Sequence, residues 1–324
     1  MTASSEVRPR PATGGGALRR FGVYARLVKF QFVLDFFLAL VIVWTGMEPE
    51  DRFDGAVLFT VLLFALGKVG VLSAVMTLDD VTGVKDGSDT ANYLDDGNTE
   101  LRPLKRKPLL TGDLTVEKAQ RFGYASLAWG ALWWLIATLQ APHTPTWALI
   151  VTAALLVLSV QYSWGLKLSY IGLGEALLLF SASAFVLAPY GITMGELPAL
   201  ILVEALLFGF GQLMIAGYSN TKDISGDAAV GRRTVAVLTS ARGNKVFLGT
   251  LTALNLGVIL LPAALGWIPG WFVVATLPLM AVRLWQYGAF LGNDHALLAR
   301  SRGVVAFRVT VVCVVVFNVL HFGI

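Results

Sequence analysis

The chain has 324 residues, 56% of them apolar and only 14% charged, with a net charge of +4. A soluble domain carries about 25% charge and about 45–50% apolar residues. This composition therefore excludes a soluble enzyme, a nucleic-acid-binding domain and a disordered chain. A single cysteine, Cys313, excludes an intramolecular disulfide framework and a zinc-finger cluster.

Residues 1–18 read as a disordered basic tail, with Pro9, Pro11 and Gly14–Gly16. No small-residue cleavage site follows the first apolar run, so the start does not read as a signal peptide. Nine apolar runs follow, near 30–46, 55–77, 122–140, 146–163, 171–190, 198–217, 246–264, 269–288 and 303–321. A bilayer core takes about 20 apolar residues as helix. Lipid admits only helices or closed barrels, because every backbone group must be satisfied internally. The runs predict an all-α integral membrane protein of nine transmembrane helices, with 19–324 as one membrane domain. Nearly all lysines and arginines lie in the N-terminal segment, at 78–121, Lys167, 218–245 and 283–308. The alternate connections 47–54, 141–145, 191–197 and 265–268 carry Arg52 alone. The positive-inside rule then predicts a cytoplasmic N-terminus and an external C-terminus in the cell membrane.

Carboxylates cluster on the predicted cytoplasmic side. Seven of the 21 fall between 79 and 100: Asp79, Asp80, Asp86, Asp89, Asp95, Asp96 and Glu100. If the second span continues as helix, Asp79, Gly83 and Asp86 share a face. At the end of the sixth span, Asp223 and Asp227 are i and i+4 and share another. Two such faces repel unless a cation lies between them. Oxygen-only donors suit Mg²⁺, which shares its shell with phosphates. A basic ring surrounds them, comprising Lys85, Arg102, Lys105, Arg106, Lys107, Lys167, Lys222, Arg232 and Arg233. Acid, metal, phosphate and base in front of an apolar cavity point to an isoprenyl diphosphate. For Asp95, Asp96, Glu100 and Asp113, an ordinary solvated loop is the simpler reading.

These motifs resemble the UbiA superfamily of intramembrane prenyltransferases. The resemblance rests on Asp79-Asp80-x-x-Gly83-x-x-x-Gly87-Ser88-Asp89, and on Arg102-Pro103-Leu104 through Thr111-Gly112. It continues in Tyr162-Ser163…Lys167…Gly172-Leu173-Gly174-Glu175 and in Asn220-x-Lys222-Asp223-Ile224-x-x-Asp227-x-x-x-Gly231-Arg232. The spacing is nearest to the menaquinone-pathway branch. Asp79 stands where the family has Asn and Gly83 where it has Asp, so Asp86 or Asp89 supplies the missing carboxylate.

The resemblance implies a UbiA-like bundle with a central cavity open to the cytoplasmic side. It implies Mg²⁺ held by Asp79, Asp80, Asp86, Asp89, Asp223 and Asp227, and a diphosphate held by Arg102, Lys167, Lys222, Arg232, Tyr162 and Asn220. The prenyl group would pass to an aromatic, quinone-precursor or other lipophilic acceptor. The alternative is a terpene cyclase of the same superfamily, acting on a C15–C25 diphosphate without an acceptor. A transporter is the third reading, but its charges would sit near the midplane.

Ionisable groups inside spans are expensive, and Asp35, Lys68, Glu175 and Glu204 fall there. Asp35 is a candidate catalytic residue that binds an acceptor or takes a proton; a helix–helix contact is the alternative. Lys68 is three turns before Asp79 and is a charge partner within the bundle or a snorkelling side chain. Glu204 has no assignment from sequence.

Overall fold

The computed structural model describes residues 16–95, 103–293 and 295–323, which are helical and contain no strand. Ten helices carry the architecture. They are α1 (Ala17–Leu27), α2 (Phe30–Thr45), α3 (Gly55–Asp86), α4 (Val116–Gln140), α5 (Thr146–Leu158), α6 (Gly174–Met194), α7 (Ala199–Lys222), α8 (Ala241–Ala264), α9 (Leu277–Asn293) and α10 (Ala296–Phe322).

All nine expected apolar runs are helical, but they are not equal. Among the described residues six helices are long and apolar enough to cross a membrane, namely α3, α4, α6, α7, α8 and α10, or seven if the bent pair α1–α2 is one span. The other three are shortened for identifiable reasons. Helix α2 has 16 residues and is bent 67° from α1. At 1.5 Å per residue it is shorter than a bilayer core about 30 Å thick. Helix α5 tightens into a 3₁₀ turn at Ser159–Gln161. The run 269–288 breaks after a short helix, Phe272–Ala275, and α9 starts at Leu277. Pro278 lies in that first turn, where its missing N–H costs nothing. Helix α1 begins at Ala17, so the tail expected over 1–18 gives way to helix at its end.

Local chemistry sets the ends. Asp54 caps α3 by accepting from the N–H groups of Ala56 and Val57 at 2.9 and 3.0 Å. Gly87, at φ +86°, stops it. Helices α3 and α4 lie backbone to backbone. A Cβ on Gly70 would stand 2.5 Å from Ser126 O, and one on Gly130 would stand 2.9 Å from Val71 N. Small residues permit this approach, and dispersion across it holds the pair in lipid. Trp134 stacks on Phe64 and donates Nε1–H to its carbonyl at 3.0 Å.

The buried core joins α2, α3, α6, α7 and α10 through Phe36, Phe64, Phe185, Phe208 and Phe317. Large apolar residues also cover the outside: Leu132, Leu135, Leu139, Ile150, Val312 and Leu320 are all exposed. Such a girdle fits lipid, not water. Buried polar groups pair across helices, as where Asn318 Nδ2 donates to Glu204 Oε2 at 3.2 Å.

Candidate active site

One cavity, with a volume of about 260 Å³, opens where α2, α3, α6 and α7 meet. A single buried water needs only about 10–15 Å³ on this measure, so the space is ligand-sized. Its lining is of two kinds. Phe32, Phe36, Leu72, Met76, Leu177 and Phe185 are apolar. Lys29, Asp79, Asp89, Arg106, Lys107, Asp223 and Arg232 are charged, and Tyr162 and Asn220 are polar.

The first carboxylate set is organised by two lysines. Lys107 Nζ lies 2.8 Å from Asp80 Oδ1 and 2.7 Å from each oxygen of Asp89. Lys29 Nζ lies 3.0 Å from Asp80 Oδ1 and 3.6 Å from Asp79 Oδ2. Asp80 is wholly buried beneath both, and its Oδ2 has no partner. Burial opposes charge on Lys107, but Asp80 and Asp89 outweigh it and hold the ammonium well above its ordinary pKa. Asp89 is also shifted upward, but by a different cause. Burial, with the Asp80 charge, raises its pKa against the pull of Lys107.

Lys29 reaches the cavity because the backbone turns there. It adopts the left-handed conformation, φ 52°, between α1 and α2. A side chain in that region is strained, by about 1–2 kcal/mol. The contacts of its ammonium with Asp79 and Asp80 help to hold it.

Asp86 and Asp89 are placed differently. Asp86 turns away from the cavity: its Oδ1 accepts from Ser88 N–H and Oγ–H, and Tyr170 Oη donates to its Oδ2. Asp89 turns inward across Gly83. A Cβ on Gly83 would stand 2.6 Å from Asp89 Cγ. The Asp89 carboxylate thus fills the space that a residue-83 side chain would take.

The second pair also divides. Helix α7 ends at Lys222, and a short helix, Ile224–Ala229, starts beyond Asp223. Asp223 caps that short helix, and Asp227 N–H donates to Asp223 O at 2.8 Å, so the two are one helical turn apart as their spacing predicts. Asp223 lines the cavity, whereas Asp227 is buried behind it, 3.7 Å from an Arg232 terminal nitrogen. Burial opposes charge on Arg232, but Asp79 and Asp227 outweigh it and keep the guanidinium firmly ionised. Its Nη2 lies 3.5 Å from Tyr170 Oη. Burial and the hydrogen bond to Asp86 push the Tyr170 phenol up to about 12. Burial also raises Tyr162, so both phenols stay neutral near pH 7. Asn220 donates to Glu175 Oε1 at 3.1 Å, and so does Val235 N–H, tying α6 and α7 to the segment that carries Arg232.

Four sequence expectations are placed differently. Asp35 does not reach the cavity; its oxygens pair with Arg308 of α10 at 3.0 and 3.2 Å, a helix–helix contact. Lys167 is exposed, in a separate shallow groove with Asp86, Lys85 and Trp164, because its left-handed backbone, φ 50°, points it over Tyr170. Lys222 ends α7 but does not line the cavity. Arg102 lies outside the described residues, as do Asp96 and Glu100. Lys68 is fully buried, donates to Phe36 O at 2.6 Å and sits 4.6 Å from the Phe185 ring centroid.

Sequence reasoning missed Lys29 and gave Lys107 no special weight. Each belongs to a basic stretch that the positive-inside pattern already explains, so neither stood out. Among the described residues no three His, Cys, Asp or Glu are gathered closely enough to hold a metal. The donors are nonetheless all oxygens, and Asp80 Oδ2 is a buried orphan. That chemistry fits a hard divalent cation such as Mg²⁺. Lys29 and Lys107 now balance the charge that such a cation would balance.

The fold has solved counterparts. A digeranylgeranylglyceryl phosphate synthase matches with a TM-score of 0.62 at 13% identity, over 93% of this chain and 99% of that one. A UbiA homolog from Archaeoglobus fulgidus bound to DMAPP and Mg²⁺ gives 0.60 at 16%, over 90% and 98%. A UbiA homolog from Aeropyrum pernix K1 gives 0.61 at 16%, over 87% and 98%. No curated protein matches the sequence. The sequence profile of the UbiA prenyltransferase family matches residues 36–311. The chain is a multi-pass membrane protein belonging to the UbiA prenyltransferase family.

Proposed function

We propose that this protein ionises an allylic isoprenyl diphosphate in the α2–α3–α6–α7 cavity and transfers the prenyl group to a lipophilic acceptor. The observation that carries this reading is one cavity lined by both kinds of group. Carboxylates and cations share it with Phe32, Phe36, Leu72, Met76, Leu177 and Phe185. The solved homologs bound to DMAPP or GPP with Mg²⁺ lend it support. The nine-span arrangement, with this mouth on the cytoplasmic face, belongs to the same proposal.

Asp79, Asp89 and Asp223 are the carboxylates that would hold Mg²⁺, with Asp80 and Asp227 behind them. When bound, the metal supplies positive charge to the departing diphosphate. Arg232, Lys29, Lys107 and the Tyr162 hydroxyl donate hydrogen bonds to the same oxygens. As the allylic C–O bond breaks, its electron pair leaves with the diphosphate. The positive charge stays on the prenyl carbon, facing the Phe32, Phe36 and Phe185 rings, whose π-faces attract cations. The acceptor then forms the new bond to that carbon and loses a proton.

The test needs no acceptor at first. Purified protein in nanodiscs is given Mg²⁺ and C10 to C25 prenyl diphosphates, and diphosphate release is followed. Turnover that starts only when a phenolic acid or quinone precursor is added supports the transferase. Cyclic hydrocarbon formed without an acceptor replaces it with a cyclase. No diphosphate release under either condition overturns the proposal.

A further inference from the structure

Helix α1 has a face that the bundle does not use. Its inner side is docked: Leu27 is fully buried against Val81 and Ala119, and the Tyr24 ring lies 4.8 Å from that of Phe122. On the outer side Leu18 is 88% exposed and Phe21 69%. They lie three residues apart, on one helical face. The exposed stripe continues onto α2 through Phe30 and Leu34. It therefore joins the apolar surface that the spans present to lipid. Exposed Arg19 and Arg20 lie beside it, and α1 carries no acidic residue. An apolar face flanked by arginines, bent 67° from the next helix, has the chemistry of a helix lying in the plane of an anionic membrane surface.

The same helix holds the site. Arg26 donates to Lys105 O at 3.1 Å and to Asp113 Oδ2 at 2.8 Å, fastening the segment that carries Lys107. Two residues past its end, Lys29 reaches Asp79 and Asp80. Both lysines of the carboxylate set thus hang on α1.

We propose that α1 docks on an anionic phospholipid surface, and that this docking holds Lys29 and Lys107 against Asp79, Asp80 and Asp89. Leu18 and Phe21 enter the interface between headgroups and acyl chains, while Arg19 and Arg20 pair with lipid phosphates. Loss of the docking frees Arg26 and loosens the 104–113 segment.

The test reads lipid contact and backbone protection, not turnover, so it stands apart from the proposed chemistry. In a Cys313→Ala background, Leu18→Cys is labelled with an environment-sensitive fluorophore. The full chain is placed in phosphatidylcholine nanodiscs with or without phosphatidylglycerol. A label at Leu132→Cys, on the lipid-facing girdle, shows that the protein is folded and inserted. The expected result is immersion of the residue-18 label with phosphatidylglycerol. Arg19→Gln with Arg20→Gln lowers its immersed-to-exposed ratio by about 30-fold, at roughly fivefold per arginine. Hydrogen exchange of 104–113 slows with phosphatidylglycerol in the wild type but not in that variant. A label equally immersed without anionic lipid, or never immersed, overturns the docking. Exchange in 104–113 that ignores the lipid overturns the link to the site.

Discussion

Lys107 is bonded to Asp89 through both carboxylate oxygens, each 2.7 Å from the ammonium, and the same nitrogen reaches Asp80 at 2.8 Å. One buried cation thus binds two buried anions contributed by α3 and by the turn after Gly87. Removing it strips Asp89 of this cation and leaves Asp80 with Lys29 alone. Breaking a buried pair in this way costs about 3–5 kcal/mol. Lys107→Met is expected to lower the thermal unfolding midpoint in detergent. Added Mg²⁺ should restore more stability to this variant than to the wild type, since the freed oxygens are hard donors. An unmoved midpoint would show that the triad contributes nothing to stability.

The alkaline limb of stability follows from the same contacts. Lys107 holds its proton above the ordinary lysine range, and Tyr170 is pushed up to about 12. In the unfolded chain both groups lose protons near pH 10. Above that pH the native state binds more protons than the unfolded state, so stability falls as pH rises. Below about pH 10 the contribution of Lys107 is fully present. Unfolding midpoints measured upward from pH 9 should therefore drop steeply, and Lys107→Met with Tyr170→Phe should flatten the slope. An equally steep drop in the double variant would assign the alkaline transition elsewhere.

Gly83 and Asp89 form a steric pair. The Gly83 Cβ position is 2.6 Å from Asp89 Cγ, closer than real atoms stand. Gly83→Ala is expected to push Asp89 off Lys107 and to slow diphosphate release by at least about tenfold, which corresponds to about 1.4 kcal/mol. Asp89→Asn should do the same by another route. The double variant should be little worse than either single one, because both remove one interaction. Additive losses would mean that the two residues act independently.

What the sequence made legible follows from where its signals are strong. Apolar run length located the six described helices that are long and apolar enough to cross a membrane, because lipid leaves the backbone few alternatives. Carboxylates at helical spacing brought Asp79 and Asp223 to one cavity, together with Arg232, Tyr162 and Asn220. Chain direction beyond a helix end was not legible. Helix α7 stops one residue before Asp223, and Asp227, one turn on in the next short helix, is buried beside Arg232 and does not line the cavity. A left-handed residue gives no composition signal either: Lys29 and Lys167 are the two such non-glycine residues described, one turned inward and one outward. Position within a span left Asp35 open between the reaction and a helix–helix contact, and its partner Arg308, which supplies the contact, lies 273 residues away.

Two aspartates should respond in opposite ways. Asp35 pairs with Arg308, whose side chain is 58% exposed, and touches no cavity-lining charge. Asp35→Asn keeps the shape and one acceptor oxygen for Arg308, so diphosphate release should stay within about twofold, a barrier change of about 0.4 kcal/mol. Asp223 lines the cavity at the end of α7, across from Asp79 and Asp89. Asp223→Ala removes a carboxylate that the proposed chemistry uses, and release should fall below detection while the unfolding midpoint moves little. The comparison is made on the two purified variants, with the same prenyl diphosphate and Mg²⁺. Full activity in Asp223→Ala would overturn the site. Loss in Asp35→Asn with normal folding would return Asp35 to the reaction, as a group acting on the acceptor from α2.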